Sequence, residues 1–202
     1  MNKEQLIESL KNKGALKSGD VIKAFERVER ENFVDTVYKS YAYTDEALPL
    51  FSGQTISQPY TVAVMTEALE LHKSQRVLEV GTGSGYQAAI IAEIIGSRGI
   101  LFTIERLGRL VDFAKQNLKK YNNVVIVQGN GVGGLPEKAP FDKIIVTAAA
   151  SEFPKKLFAQ LRDGGKMVIP TTDNKLFLIT KKNTEPIVED LGSFVFVPLV
   201  ND

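Results

Sequence analysis

The stretch that most constrains how this 202-residue chain can fold is Val77 to Tyr86, which reads VLEVGTGSGY. An apolar run, Val77, Leu78 and Val80 with Glu79 inside it, drives into glycines at 81, 83 and 85. A second apolar run follows from Tyr86 to Ile95. Strand, tight turn and helix form the opening unit of a nucleotide-binding α/β fold. The turn asks for backbone angles that a Cβ blocks, and the main chain must lie against a ligand, so glycine is required. A glycine-rich turn alone is weak evidence, and the rest of the chain has to agree with it.

It does agree from residue 76 onward. The pattern predicts a strand at 76–80, a helix at 87–95 and a strand at 100–104 that ends on Glu105. A helix over 107–121 follows, with Leu107, Leu110, Val111, Ala114, Leu118 and Tyr121 on one face. Next come a strand at 124–127, a loop over 128–140, a strand at 142–147 and a helix at 154–161. Asp163-Gly164-Gly165 then turns the chain into a strand at 166–169. This alternation implies an α/β fold with a doubly wound, mostly parallel sheet. Strands at 175–181, 187–191 and 194–197, joined by polar turns, read as antiparallel additions at one edge.

Before this core, residues 1–35 read as a helical cap. Leu6 and Leu10 share one face, and Val21, Ile22, Phe25 and Val28 another, with Ser18 or Asp20 available to cap the second helix. Residues 36–57, rich in tyrosine, proline and glycine, suggest an ordered connection that walls a binding site. A helix over 59–71 places Pro59 in its first turn, with Ser57 or Gln58 as cap and Val62, Met65 and Leu69 as its core stripe. The expectation is one domain, 1–202: cap and substrate loop 1–57, cofactor-binding core 58–170, and C-terminal strands 171–202.

Composition narrows the chemistry. There is no cysteine and a single histidine, His72, so thiolate nucleophiles, thiolate metal sites and polyhistidine sites are excluded. A formal charge of +1 gives no electrostatic reason to expect nucleic acid or a membrane surface as partner. The N-terminus is charged and amphipathic, without the apolar core of a signal peptide, and no apolar run approaches the roughly 20 residues that span a bilayer. A cytoplasmic protein is the expectation.

Glycine spacing separates the nucleotides. A dinucleotide site prefers G-x-G-x-x-G, whereas here the third glycine comes one position early, as Glu79-x-Gly81-x-Gly83-x-Gly85. That form resembles the first motif of Rossmann-like methyltransferases that use S-adenosylmethionine. This cofactor has no phosphate for a helix N-terminus to hold. Glu105, about 20 residues on, sits where a carboxylate accepts both ribose hydroxyls. Asn130, in Gly129-Asn130-Gly131, lies where such folds read adenine, and it is equally a common turn residue.

A closer likeness extends over nearly the whole chain. GQTISQPYTVAVMTEALEL (53–71), the glycine motif, APFDKIIVTAAA (139–150), LRDGGKMVIP (161–170) and FVPLV (196–200) resemble the protein-L-isoaspartate O-methyltransferases. The TIS-x-P run is the specific motif among them. The resemblance implies methyl transfer from S-adenosylmethionine to the α-carboxylate of L-isoaspartyl residues in damaged peptides and proteins, leaving S-adenosylhomocysteine. The ester then closes to a succinimide, which starts repair. It implies Ser57 as the active-site residue. Glu79, Gly81, Gly83 and Gly85 would line the methionine end, Glu105 the ribose, and Asn130 with Gly131 the adenine, with Thr82 and Arg106 also among the cofactor-binding residues. Leu48, Thr55, Ile56, Ser57, Val197, Pro198 and Leu199 would hold the peptide. No metal is implied, and a monomer is expected.

The chemistry fits what the chain lacks. A substrate carboxyl with a pKa near about 4 is ionised at neutral pH, so no general base is needed and alignment is the main task. Amine-directed enzymes place an N/D-P-P-Y-type run after the fourth core strand, whereas this chain has Thr147-Ala148-Ala149-Ala150. Three positions depart from the family pattern. Asn130 replaces the usual aspartate, Val195 stands where an arginine or another polar residue is common, and Glu29 where proline is common. Rival readings are a methyltransferase of the same fold acting on a small-molecule carboxylate or hydroxyl, a NAD-binding oxidoreductase, and a binding module without catalysis.

Overall fold

The computed structural model describes residues 1–200; positions 201 and 202 of the expected C-terminal unit lie outside the described residues. Two helices open the chain, α1 (Lys3–Asn12) and α2 (Gly19–Arg27). Asn2 and Gln5 cap α1 reciprocally, each side chain accepting from the other's backbone N–H. Ser18 precedes α2, but its hydroxyl does not cap it. Glu67 from a later helix does so instead, accepting the Lys17 and Ser18 N–H groups at 2.8 Å each and the Ser18 hydroxyl at 2.5 Å. A carboxylate at a helix N-terminus adds charge to the hydrogen bond, which a hydroxyl cannot.

Residues 36–57 form an ordered connection, of which Ala47 and residues 52–57 border the cleft described below. A short 3-10 turn leads to a hairpin of β1 (Leu48–Pro49) and β2 (Thr55–Ile56), with Leu48 opposite Ile56. Glu29 anchors this segment, accepting from Lys3 Nζ at 2.7 Å and from the Tyr43 hydroxyl at 2.8 Å. Its departure from proline thus has a local structural role. Pro59 opens α3 (Pro59–Leu69), yet neither Ser57 nor Gln58 caps it through a side chain. Asp45 takes that place. Its Oδ1 accepts the Tyr60 N–H at 2.9 Å, and Lys13 Nζ holds Oδ2 at 2.8 Å.

The core then alternates as the pattern predicts: β3 (Arg76–Val80), α4 (Tyr86–Ile95), β4 (Ile100–Glu105), α5 (Gly108–Asn117), β5 (Val124–Gln128), β6 (Phe141–Val146), α6 (Lys155–Ala159) and β7 (Leu161–Pro170). Two antiparallel strands, β8 (Lys175–Lys182) and β9 (Glu185–Ser193), complete a sheet of order β5-β4-β3-β6-β7-β8-β9. Strands β5 to β7 run parallel. Strand β3 lies inside the sheet and is buried on both faces, with Val77 packing into one core and Leu78 into the other. Helix α4 buries nine of its ten residues, which makes it a core helix rather than an amphipathic surface one.

Three boundaries differ from the pattern. The predicted turn at 163–165 is a bulge inside β7, where the pairing with β6 shifts register between Phe141 and Lys143. The helix expected over 107–121 ends at Asn117, and a tight turn from Leu118 to Tyr121 still delivers Tyr121 to the core. Residues 194–197 form no strand. The Phe194 N–H donates to Asn174 and the Val197 carbonyl accepts from Ala149, so the tail crosses the carboxyl end of the sheet instead of extending its edge. That edge belongs to β9.

Replacing Asp45 with alanine removes the remote cap of α3 together with the Lys13 ion pair. Urea unfolding should show a loss of about 1–2 kcal/mol, most of it recovered by Asp45→Asn, since asparagine also caps.

Candidate active site

All four loops that leave the carboxyl ends of β3, β4, β5 and β6 open onto one cleft of about 1640 Å³, also walled by residues 52–58 and 191–200. The strand order reverses between β3 and β6, the place where open α/β sheets bind ligands. The volume exceeds the roughly 300–1,000 Å³ of an ordinary small-molecule pocket. There is room for a nucleoside and for a segment of a second molecule.

The glycine loop is built for close approach. Gly81 has φ +97°, and a Cβ there would fall 2.2 Å from Thr147 Oγ1, whose hydroxyl lies 2.8 Å from the Gly81 carbonyl. A Cβ on Gly83, φ +55°, would meet no protein atom within 4 Å, so this position borders open space. Glu105 holds the loop. Its Oε2 accepts the Gly83 N–H at 2.9 Å and its Oε1 the Leu107 N–H at 3.0 Å. Each oxygen keeps a lone pair for a ribose hydroxyl.

Glu79 does not line the cleft. It is fully buried, accepts the Thr103 hydroxyl on Oε2 at 2.5 Å, and leaves Oε1 without a partner among the described residues. Thr103 lies 2.6 Å from the hydroxyl of Thr82, which does line the cleft. Burial pushes the Glu79 carboxyl up to about 8, the Thr103 hydrogen bond opposing this and the charge of Glu105 adding to it. Gly85 also stands back, at the N-terminus of α4 with φ +88°, where a Cβ would strike Leu118. Leu48 is buried behind the hairpin. These three expected contacts are corrected to supporting positions.

The other expected residues do border the cleft: Gly81, Thr82, Gly83, Glu105, Arg106, Asn130 and Gly131 on one side, and Thr55, Ile56, Ser57, Val197, Pro198 and Leu199 on the other. Asn130 borders the cleft and also serves as a turn residue. Its Oδ1 accepts the Val132 N–H at 2.9 Å, as a turn asparagine does. No hydrogen bond engages the Ser57 hydroxyl among the described residues, because Asp45 has taken over the helix N-terminus above it. Val195, 83% exposed, stands uncharged at the mouth. No group of three or more His, Cys, Asp or Glu side chains is placed for a metal among the described residues.

Several supporting residues escaped the sequence. Arg30 is wholly buried, stacks over the Tyr86 ring at 4.9 Å and donates through Nε to the Ala42 carbonyl at 2.8 Å. It thereby joins the start of α4 to the wall segment. Phe51, at the hairpin tip, lies under Arg109 at 4.1 Å and edge-on to Phe113, clasping the hairpin to α5. Neither pairing has a local signal, since the partners lie far apart in the chain. Thr103 did have one: a hydroxyl at an inward position of the apolar run ILFTI that leads to Glu105.

The comparisons with known proteins decide the family. The model of the protein-L-isoaspartate(D-aspartate) O-methyltransferases matches residues 1–202. A protein-L-isoaspartate O-methyltransferase of Dictyoglomus thermophilum is 48% identical over 202 residues, 98% of this chain and 90% of the relative. The chain belongs to this family. A solved protein-L-isoaspartate O-methyltransferase superposes with a TM-score of 0.90 at 32% identity, over 99% of this chain and 66% of that one. A Plasmodium falciparum protein assigned to the same family, crystallised with S-adenosyl-L-homocysteine, gives 0.88 at 28% identity over the full length of both. As an isoaspartyl methyltransferase family member, the chain is an enzyme that works with S-adenosylmethionine. The site fits that cofactor on its own evidence: a glycine bordering open space, a fixed carboxylate able to accept hydroxyls, and a buried carboxyl oxygen without a partner among the described residues.

Glu105→Gln keeps the shape but turns an amide N–H₂ toward one of the two backbone donors. Calorimetric titration should show S-adenosylmethionine affinity down roughly 10- to 100-fold, the worth of a hydrogen bond to a charged group. The melting temperature should fall as well.

Proposed function

We propose that the protein transfers the methyl group of S-adenosylmethionine to the free α-carboxylate of L-isoaspartyl residues, with Ser57 holding that carboxylate, and so initiates repair of damaged peptides and proteins. The observation that supports this most directly is the Ser57 hydroxyl. It stands half-buried on the cleft wall and is free of helix-capping duty, because Asp45 fulfils that role. Family membership supplies the substrate class.

The donor supplies a sulfonium-borne methyl group as electrophile. The rest is positioning. Glu105 and the glycine loop fix the nucleoside end, and Asn130 with Gly131 meets the base. Ser57 donates a hydrogen bond to one oxygen of the substrate carboxylate, leaving the other oxygen free to form the O–CH₃ bond. The electron pair of the broken C–S bond stays on sulfur, so no proton moves and no base is called for. The Thr55-Ile56-Ser57 run and Val197-Pro198-Leu199 face the cleft from two segments, which suits an extended peptide laid between them. Val195, exposed at the mouth, offers an apolar contact where the family resemblance suggests arginine or another polar residue.

No helix is long and apolar enough to cross a membrane among the described residues. The reading we propose includes a monomeric, cytoplasmic enzyme whose partners are isoaspartyl peptides and proteins, without nucleic acid or membrane.

Two short peptides differing only in L-isoaspartate or aspartate, assayed with labelled donor, test it. Base-labile label should enter the isoaspartyl peptide alone, and Ser57→Ala should lower kcat/KM roughly 10- to 100-fold, the scale of one charged hydrogen bond. Donor binding with neither peptide labelled would favour the small-molecule reading.

A further inference from the structure

We propose, building on the methyltransferase reading above, that Glu79 is a proton-linked positioning residue. It acts on the methyl donor through Thr103 and Thr82, so that binding the cationic donor expels a proton into solvent and binding the demethylated product expels far less. The geometry is a row of three side chains leading from the core to the cleft wall. Glu79 Oε2 accepts from Thr103 Oγ1, and Thr103 Oγ1 lies 2.6 Å from Thr82 Oγ1. Only Thr82 reaches the cleft.

Each hydroxyl carries one proton, so the row has a direction. When Glu79 is ionised it only accepts. Thr103 must then donate to it and Thr82 to Thr103, which leaves Thr82 with lone pairs alone to present elsewhere. When Glu79 is neutral its own proton can occupy the first link. The row can then reverse, and Thr82 turns its proton outward. The protonation state of a buried carboxyl therefore sets whether the cleft wall is an acceptor or a donor at this point. A cation selects the acceptor state.

Among the described residues no cation acts on the carboxyl, and its Oε1 is without a partner. Among the elements packed around it, β4 carries Glu105, β6 carries Lys143, and α4 carries Tyr86 with Arg30 stacked on it, while the buried face of α3 offers Thr66 and apolar groups. Of these charges Glu105 is the one that acts on Glu79, and it also disfavours ionisation. Burial therefore keeps the carboxyl neutral at pH 7 until positive charge arrives. S-adenosylmethionine brings a net charge of +1 (sulfonium and ammonium against one carboxylate). S-adenosylhomocysteine brings none.

The sign follows from linkage. Below about pH 8 each donor molecule bound releases a proton, so donor affinity weakens as pH falls, by up to about tenfold per unit. Above that pH the carboxyl is already ionised and the dependence vanishes.

Calorimetric titration of the full chain with each nucleoside at pH 7, in phosphate and in Tris, reads the proton count from the difference in heat between buffers. About one proton should leave per S-adenosylmethionine and clearly fewer per S-adenosylhomocysteine. Glu79→Gln, equal in size, should abolish the release and flatten the pH dependence of donor affinity. Thr103→Val leaves Glu79 buried but severs the row, and should weaken donor binding toward the Glu79→Gln level. Equal heats in both buffers for the wild type, or undiminished release in Glu79→Gln, would overturn the inference while leaving the methyltransferase reading intact. Failure of both nucleosides to bind the wild type would overturn that reading and this inference together.

Discussion

The site depends on how Glu105 ends its strand. Its carboxylate accepts from Gly83 and Leu107, and its main-chain carbonyl accepts from Gly129. One residue thus fixes the glycine loop, the turn into α5 and the loop after β5, the three backbone segments a nucleoside must touch. The neighbouring Ile104 carbonyl accepts from Gly81 and Thr82, so the register between β3 and β4 is continued into the loops. A loop held in this way loses little further freedom when a ligand arrives, so less of the binding energy is lost to ordering.

A second theme is capping at a distance. The helices that frame the substrate side, α2 and α3, receive their N-terminal carboxylates from Glu67 and Asp45, each far away in sequence. Each cap does the work of a tertiary contact, locking α2 onto α3 and α3 onto the loop before β1. A consequence is that the Ser57 hydroxyl on the cleft wall is engaged by no hydrogen bond among the described residues. Under the function proposed above, it would have no structural bond to give up when a carboxylate binds, in keeping with a sequence that has a single histidine and no cysteine.

The sheet was legible in the sequence because β3 to β6 are governed by local rules: apolar runs, glycine at forced φ, a carboxylate at the strand end. Element boundaries shifted where pairing overrode local preference. Asp163-Gly164-Gly165 looks like a turn, but the ladder to β6 absorbs it as a bulge. The tail at 194–197 alternates like a strand, yet Asn174 and Ala149 capture its backbone first. In the site, the glycines, Glu105, Asn130 and Ser57 could be read from their spacing and motif. Arg30, Asp45 and the Phe51–Arg109 clasp could not, since each acts on a partner that only the folded chain brings near. Glu79 was recognised as part of the motif, but its place behind Thr103 could be seen only from the strand pairing.

The sheet's open edge is exposed to the kind of client this family handles. Damaged chains are partly unfolded, and loose backbone adds readily to a free strand edge. Strand β9 is that edge and shows Ile187 and Val188 half-exposed, yet it begins Glu185-Pro186 and continues Glu189-Asp190. Proline removes one backbone donor, and the acidic side chains repel an approaching acidic strand. The cleft opens instead at the carboxyl ends of the central strands, so a chain turned away from this edge still finds the site free.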